Sequence, residues 1–138
     1  MERTEWSIGQ VALKFEPPDL FHCYVNGPVL VPDVEEMLKI MQEEVVPEVR
    51  NFYFLVHTGA LGTEAMPIET RKFFANVKPL WKATVMIGGA PIARLAANVF
   101  MHAVMAISGS KTPMKVVKDE AEAISYVKEL RSKLARSA

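Results

Sequence analysis

The chain has 138 residues, of which 50% are hydrophobic and 23% charged, and its mean hydropathy is +0.12. This length suits one domain, residues 1–138, and the composition excludes a disordered or fibrous chain. Sixteen basic residues balance sixteen acidic ones, so the chain lacks the positive charge with which nucleic-acid binders contact phosphates. We therefore expect no nucleic-acid partner.

Alternating apolar residues predict two antiparallel strands, Val11–Phe15 and Phe21–Val25, on either side of a proline-rich turn. An Asp-x-x-Glu pattern that begins at Asp33 predicts the start of a helix. Apolar residues then recur at helical spacing until Pro47, where the helix is expected to end.

Two continuous apolar runs, Phe52–Val56 and Ala83–Ile87, have the composition of strands covered on both faces. A loop, His57–Thr63, and one helix that begins at Pro67 separate them. We therefore predict that the two runs are neighbouring parallel strands inside the sheet.

A turn at residues 88–91 leads into a long apolar helix that is predicted to end near Gly109. Met114–Val117 favours a last short strand, and Asp119 is expected to cap a final helix. The element order is β-β-α-β-α-β-α-β-α, which predicts a single α/β domain with a mixed sheet of about five strands and helices packed against it.

Cys23 is the only cysteine, so no intramolecular disulfide is possible. The amino terminus has no apolar run, and no secretory signal peptide is expected. The most apolar stretch, residues 90–107, is interrupted by Arg94, Asn98 and His102, whereas a membrane span needs about 20 apolar residues. We therefore expect a cytoplasmic protein without a membrane span.

The sequence offers little support for catalysis. Cys23 follows His22, but adjacent residues of a strand point to opposite faces, so the two cannot readily pair. His22, His57 and His102 show no metal-ligand spacing. We therefore predict no enzyme, no metal site and no cofactor.

Two features of the turn and helix after residue 88 allow alternative interpretations. Gly88 and Gly89 either present free N–H groups to an anion, with Arg94 adding charge, or allow a helix to pack closely on a strand. Arg94, Asn98 and His102 recur every four residues. This polar stripe either faces solvent or lines a cleft or partner surface.

The element order and the segment Val85–Asn98, with its Gly-Gly-Ala-Pro turn followed by Arg94 and Asn98, resemble the STAS-like (SpoIIAA-like) family around the anti-sigma-factor antagonists. The acidic, alanine-containing segment Asp119–Ala123 is also similar to the start of that family's last helix. The resemblance implies a STAS fold and a bacterial regulatory domain that docks a protein partner, either an anti-sigma-factor-like protein or a second copy of the chain.

The chain departs from the family at the helix after the central strand, where the antagonists carry a phosphorylated serine in an Asp-Ser-Ser-Gly motif. No serine occurs between His57 and Thr70, and Met66 and Pro67 occupy the corresponding place. Thr63 and Thr70 are the nearby hydroxyls. We therefore expect partner docking without the usual phosphoserine switch.

The function predicted is a non-enzymatic STAS-like interaction domain, which docks its partner around the loop after the central strand and the helix that follows. The alternative is a small apolar or anionic ligand bound at the carboxyl ends of the strands, in the manner of the remotely similar CRAL-TRIO domains. The predicted ligand-binding or partner-binding residues are His57, Thr58, Gly59, Thr63, Met66, Gly88, Gly89, Arg94 and Asn98.

Overall fold

The computed structural model describes residues 1–59, 61, 65–95, 97–99 and 112–137, which form a six-stranded mixed sheet in the order β1-β2-β3-β4-β5-β6. The strands are β1 (Glu5–Ile8), β2 (Val11–Glu16), β3 (Leu20–Val25), β4 (Tyr53–Gly59), β5 (Thr84–Gly88) and β6 (Met114–Val117). The helices are α1 (Val31–Ile40), which continues as a π-helical turn (Met41–Val45), α2 (Ile68–Ala75), α3 (residues 91–95 and 97–99) and α4 (Glu120–Ser137).

The first three strands pair antiparallel, and β3 to β6 pair in parallel. Residues of α1 and α2 pack against the same core, so these two helices lie on one face of the sheet. The larger hydrophobic core lies on the face of α1 and α2, and a second core lies between the sheet and α4. Arg131 of α4 pairs with Asp19 in the β2–β3 turn, with 2.9 Å between Nε and Oδ2, which ties α4 to the hairpin end of the sheet.

The α/β class is confirmed, and so is the prediction that β4 and β5 are neighbouring parallel strands inside the sheet. The sheet has six strands where about five were expected, because the short strand β1 escaped the sequence analysis. Trp6 is the only buried residue of β1. A single buried residue gives no alternating pattern that sequence analysis could detect.

Two helix starts test the capping predictions. Asp119 caps α4 as predicted, because its Oδ1 accepts a hydrogen bond from the N–H of Glu122 at 2.9 Å. The prediction for Asp33 was wrong in position: α1 begins at Val31, and the carboxylate of Asp33 accepts a hydrogen bond from the N–H of Leu30 at 2.9 Å. Asp33 therefore lies inside the first turn of α1, and its side chain caps the helix by bonding back to Leu30, the N-cap residue.

No helix in the described part of the chain is long and apolar enough to cross a membrane. The face of the sheet opposite α1 is open over the hairpin strands, where a groove of about 550 Å³ lies. Arg3, Glu5, Lys14 and Tyr24 are among the residues that line it. The hairpin therefore presents a polar surface with both positive and negative side chains, beside the part of the sheet that α4 covers.

Candidate functional site

The structure brings several predicted site residues together at the carboxyl ends of β4 and β5. His57, Thr58 and Gly59 were expected in a loop, but they form the last residues of β4, and Gly59 pairs with Gly88 of β5. Thr58 is buried, and its hydroxyl donates to the carbonyl oxygen of Ile87 at 3.0 Å. The prediction of a loop from His57 was therefore wrong, because His57 and Gly59 continue the parallel pairing of β4 with β5, with a shift of register between them.

The loop residues that follow β4 are only partly described. Thr63 lies outside the described residues, and Met66 is half-buried. Thr70, the other hydroxyl considered for phosphorylation, is 1% exposed and donates a hydrogen bond to the carbonyl oxygen of Val29 at 2.7 Å. In this fold the hydroxyl of Thr70 is shielded from a kinase.

The two glycines at the end of β5 serve close packing. Gly88 and Gly89 have φ angles of +125° and +86°, and a Cβ on Gly88 would lie 2.8 Å from both the carbonyl oxygen of Gly59 and the hydroxyl oxygen of Thr58. The N–H of Gly89 donates to the carbonyl oxygen of Gly59 at 3.4 Å. The guanidinium of Arg94 donates to the carbonyl oxygen of Gly89. The N–H of Gly89 and the guanidinium of Arg94 thus bond to backbone carbonyls of the chain itself. This favours close packing as the role of the two glycines over the binding of an anion.

Asn98 forms a two-way hydrogen bond with β6. Its Nδ2 donates to the carbonyl oxygen of Val116 at 2.9 Å, and its Oδ1 accepts from the N–H of Val116 at 2.8 Å. Strand β6 lies at the edge of the described sheet, so the outward N–H and carbonyl of Val116 have no neighbouring strand to bond. Asn98 supplies their hydrogen-bond partner. Arg94 and Asn98 thus face the protein, and His102 lies outside the described residues.

We expect Asn98→Ala to lower the free energy of unfolding by about 1–2 kcal/mol, because it leaves the partly buried N–H and carbonyl of Val116 without their partner. Asn76→Ala is the matched control, since Asn76 makes a single exposed hydrogen bond to Lys72; its effect should stay within about 0.5 kcal/mol. Equilibrium unfolding in urea measures both. Equal losses for the two variants would show that Asn98 does not support the edge of the sheet.

The outward side of α3 is apolar. Ile92, Leu95 and Val99 are 84%, 68% and 63% exposed, and their spacing of three and four residues places them on one side of the helix. A helix on the surface of a globular protein normally directs such residues toward the core. The orientation of α3 is inverted, because its polar residues Arg94 and Asn98 are directed inward.

A second cluster, which sequence analysis missed, lies on the other face of the sheet. His22 of β3 is fully buried, and its Nδ1 lies 2.9 Å from Nε2 of His57 on β4. Nε2 of His22 lies 2.9 Å from Oε1 of Glu16. Glu120, the first residue of α4, places its Oε1 4.0 Å from Nδ1 of His22. Two imidazoles and two carboxylates thus converge where α4 begins, and we refer to these four residues as the histidine cluster.

The environment of the cluster favours neutral imidazole at His57. Burial lowers the pKa of His57, the neighbouring His22 lowers it further, and Glu120 raises it in part. The ring of Tyr24 stacks on that of His57 at a centroid distance of 4.3 Å. Burial, together with Glu120 and Glu16, raises the pKa of Tyr24, so its hydroxyl stays protonated beside the cluster.

Cys23 lies on the opposite face of the sheet from His22, as predicted, within the core under α1. Burial raises the pKa of its thiol to about 12. A protonated, buried thiol is a poor nucleophile, and it cannot reach the histidine cluster as a ligand.

No family model, no curated protein and no solved structure matches this chain.

Proposed function

We propose that this chain is a non-enzymatic, STAS-like interaction domain that docks a protein partner through the apolar side of α3, and that the partner is a second copy of the chain. The observation that carries the proposal is the exposure of Ile92, Leu95 and Val99 on one side of that helix. The resemblance of residues 85–98 to the STAS-like family supports the same class of function. The surface proposed here lies one helix later than the loop and helix first expected to dock the partner.

The hydrogen bonds of α3 hold its apolar side outward. A rotation that buried Leu95 would break the contact of Arg94 with Gly89 and the paired bonds of Asn98 with Val116. Losing partly buried hydrogen bonds of this kind costs about 1–3 kcal/mol for each group left without a partner. The helix therefore presents a fixed apolar surface.

Several properties favour a second copy as the occupant. Ile92, Leu95 and Val99 carry no charge, so the surface that they form is complementary to itself, and two-fold dimers are the commonest symmetric assembly. The formal net charge of zero removes long-range repulsion between copies. Burial of an Ile, Leu or Val side chain contributes about 1.5–3 kcal/mol, so six such residues in a dimer offset an association cost of roughly 4–15 kcal/mol by a small margin. We expect a reversible dimer.

Sedimentation velocity over a range of protein concentrations tests the proposal. We expect a monomer–dimer equilibrium for the natural chain and a monomer at every concentration for Leu95→Glu, because a carboxylate would be buried without a partner in the interface. Ile68→Glu is the matched control: Ile68 is 60% exposed on α2, and its replacement should leave the equilibrium unchanged. A natural chain that stays monomeric, or a dimer that survives Leu95→Glu, would overturn the proposal.

A further inference from the structure

We propose that His22, His57 and Glu120 form a binding site for a divalent transition-metal ion, with Zn²⁺ as the best fit. The site is independent of the docking surface on α3. It is built from β3, β4 and the start of α4, and it lies on the face of the sheet that α4 covers.

The donor atoms lie at distances that a metal can bridge. Nδ1 of His22, Nε2 of His57 and an oxygen of Glu120 all lie within 4.8 Å of one another. Zinc–ligand bonds of about 2.0–2.1 Å in tetrahedral geometry place the ligand atoms roughly 3.3 Å apart. The two imidazole nitrogens, at 2.9 Å, need to separate slightly. The carboxylate of Glu120, at 4.0 Å from His22, needs to approach, and its exposed side chain can do so.

Glu16 prepares His22 to act as a ligand. An ionised carboxylate only accepts hydrogen bonds, so Nε2 of His22 carries the proton that is donated to Glu16 at 2.9 Å. The lone pair of His22 is therefore on Nδ1, which faces His57 and Glu120. A ligating histidine whose second ring nitrogen donates to a carboxylate is the usual arrangement around protein-bound zinc.

His57 completes the pair by changing its tautomer. Because the lone pair of His22 is on Nδ1, this atom accepts a hydrogen bond from the N–H at Nε2 of His57 in the metal-free cluster. When a metal binds, that proton moves to Nδ1 of His57, and Nε2 donates its lone pair to the metal, so the ring remains neutral. Burial of His22 in the sheet and the stacking of Tyr24 on His57 hold both rings close to the required geometry.

The donor set selects the class of metal. Two imidazole nitrogens and one carboxylate oxygen suit Zn²⁺, Cu²⁺ or Ni²⁺, whereas Mg²⁺ and Ca²⁺ prefer oxygen ligands throughout. Three protein ligands leave the fourth position of a tetrahedral zinc to water or to an external ligand. The open groove that Tyr24 helps to line lies beside this cluster.

The test uses the full chain without an affinity tag, stripped of metal with a chelator. Titration calorimetry with Zn²⁺ should show one site for each chain, and saturating Zn²⁺ should raise Tm by roughly 5–10 °C. Co²⁺ in place of Zn²⁺ should give the intense visible bands of a tetrahedral ion. These spectra should lack the charge-transfer band of a thiolate ligand, because Cys23 lies on the other face of the sheet.

Three variants and one control locate the site. Glu120→Gln and His57→Gln each replace a metal ligand, so each should weaken Zn²⁺ binding by more than about 100-fold. That is more than the loss of affinity usual for a residue that only hydrogen-bonds to a ligand. Glu16→Gln, which acts through His22, should weaken binding by roughly 10–100-fold while the tetrahedral Co²⁺ spectrum persists. Glu122→Gln is the matched control, because it removes the same charge from the first turn of α4 and should leave binding unchanged.

A chain that shows no saturable Zn²⁺ binding would overturn the proposal and leave the histidine cluster as a hydrogen-bonded network. Binding that survives both Glu120→Gln and His57→Gln would also overturn it, since the metal would then be held elsewhere. Glu120 is exposed, so Glu120→Gln should fold and keeps the test decisive if His57→Gln does not fold.

Discussion

Phe21→Ala is expected to lower the free energy of unfolding by about 4 kcal/mol, the largest effect that we predict for a single substitution in this chain. Phe21 is fully buried on β3. Its ring lies 5.8 Å from that of Trp6, 6.2 Å from Phe52 and 6.0 Å from Phe54, measured between centroids. Truncation would leave a cavity between side chains held by paired strands, which cannot collapse to fill it.

Phe74→Ala is the matched control for that result. Phe74 is half-buried at the margin of the same aromatic cluster, where it contacts Phe54 and Trp81. Solvent can fill the space that its ring leaves, so we expect a loss of about 2 kcal/mol, half of that for Phe21. Equilibrium unfolding in guanidinium chloride measures both variants. Equal losses would show that the strands around Phe21 relax into the cavity.

The strands that the sequence predicts well are those whose composition alone defines them. The continuous apolar run Phe52–Val56 indicates a strand buried on both faces wherever it lies in the sheet. The residues that extend this strand, His57 to Gly59, have the composition of a loop. They become strand because both neighbouring strands pair with them: Tyr24 of β3 lies opposite His57, and Gly88 of β5 lies opposite Gly59. Pairing of this kind is a property of the folded sheet, so the end of β4 could not be predicted.

The histidine cluster was even harder to predict from the sequence than the end of β4. His22 and His57 are 35 residues apart, and no local spacing links them. They meet because β3 and β4 pair in a register that sets Tyr24 opposite His57, which places His22 and His57 on the same face. The alternation of His22 with Tyr24 along one strand was the only sequence signal, and it gains meaning once the register is known.

The polar stripe on α3 shows why amphipathic patterns can mislead. Arg94 and Asn98 were expected to face solvent or a cleft, because polar side chains usually lie on the outer side of a helix. The last strand of a sheet has backbone N–H and carbonyl groups that no neighbouring strand bonds. The side-chain amide of Asn98 forms hydrogen bonds with two such groups, the N–H and the carbonyl of Val116. The polar side of α3 therefore faces inward, and its apolar side becomes the surface that we assign to docking.

Gly88→Ala is expected to lower the free energy of unfolding by about 3 kcal/mol, because two separate effects add. The φ angle of +125° is strained for any residue with a Cβ. The new methyl group would also lie 2.8 Å from the carbonyl oxygen of Gly59 and from the hydroxyl oxygen of Thr58. Neither oxygen can move freely, since Gly59 is paired within the sheet and the hydroxyl of Thr58 is bonded to Ile87.

Gly59→Ala separates the two effects. Gly59 has a φ angle of +56°, but a Cβ there would meet no atom within 4 Å. Its replacement should therefore show the backbone strain alone, about 1–2 kcal/mol. The excess loss for Gly88→Ala then measures the steric contact, and Thr58→Ala in the Gly88→Ala background should recover part of it in a double-mutant cycle. If Gly88→Ala is no more damaging than Gly59→Ala, the close approach of β4 and β5 does not explain the glycine at position 88, and the anion-binding interpretation of the turn regains support.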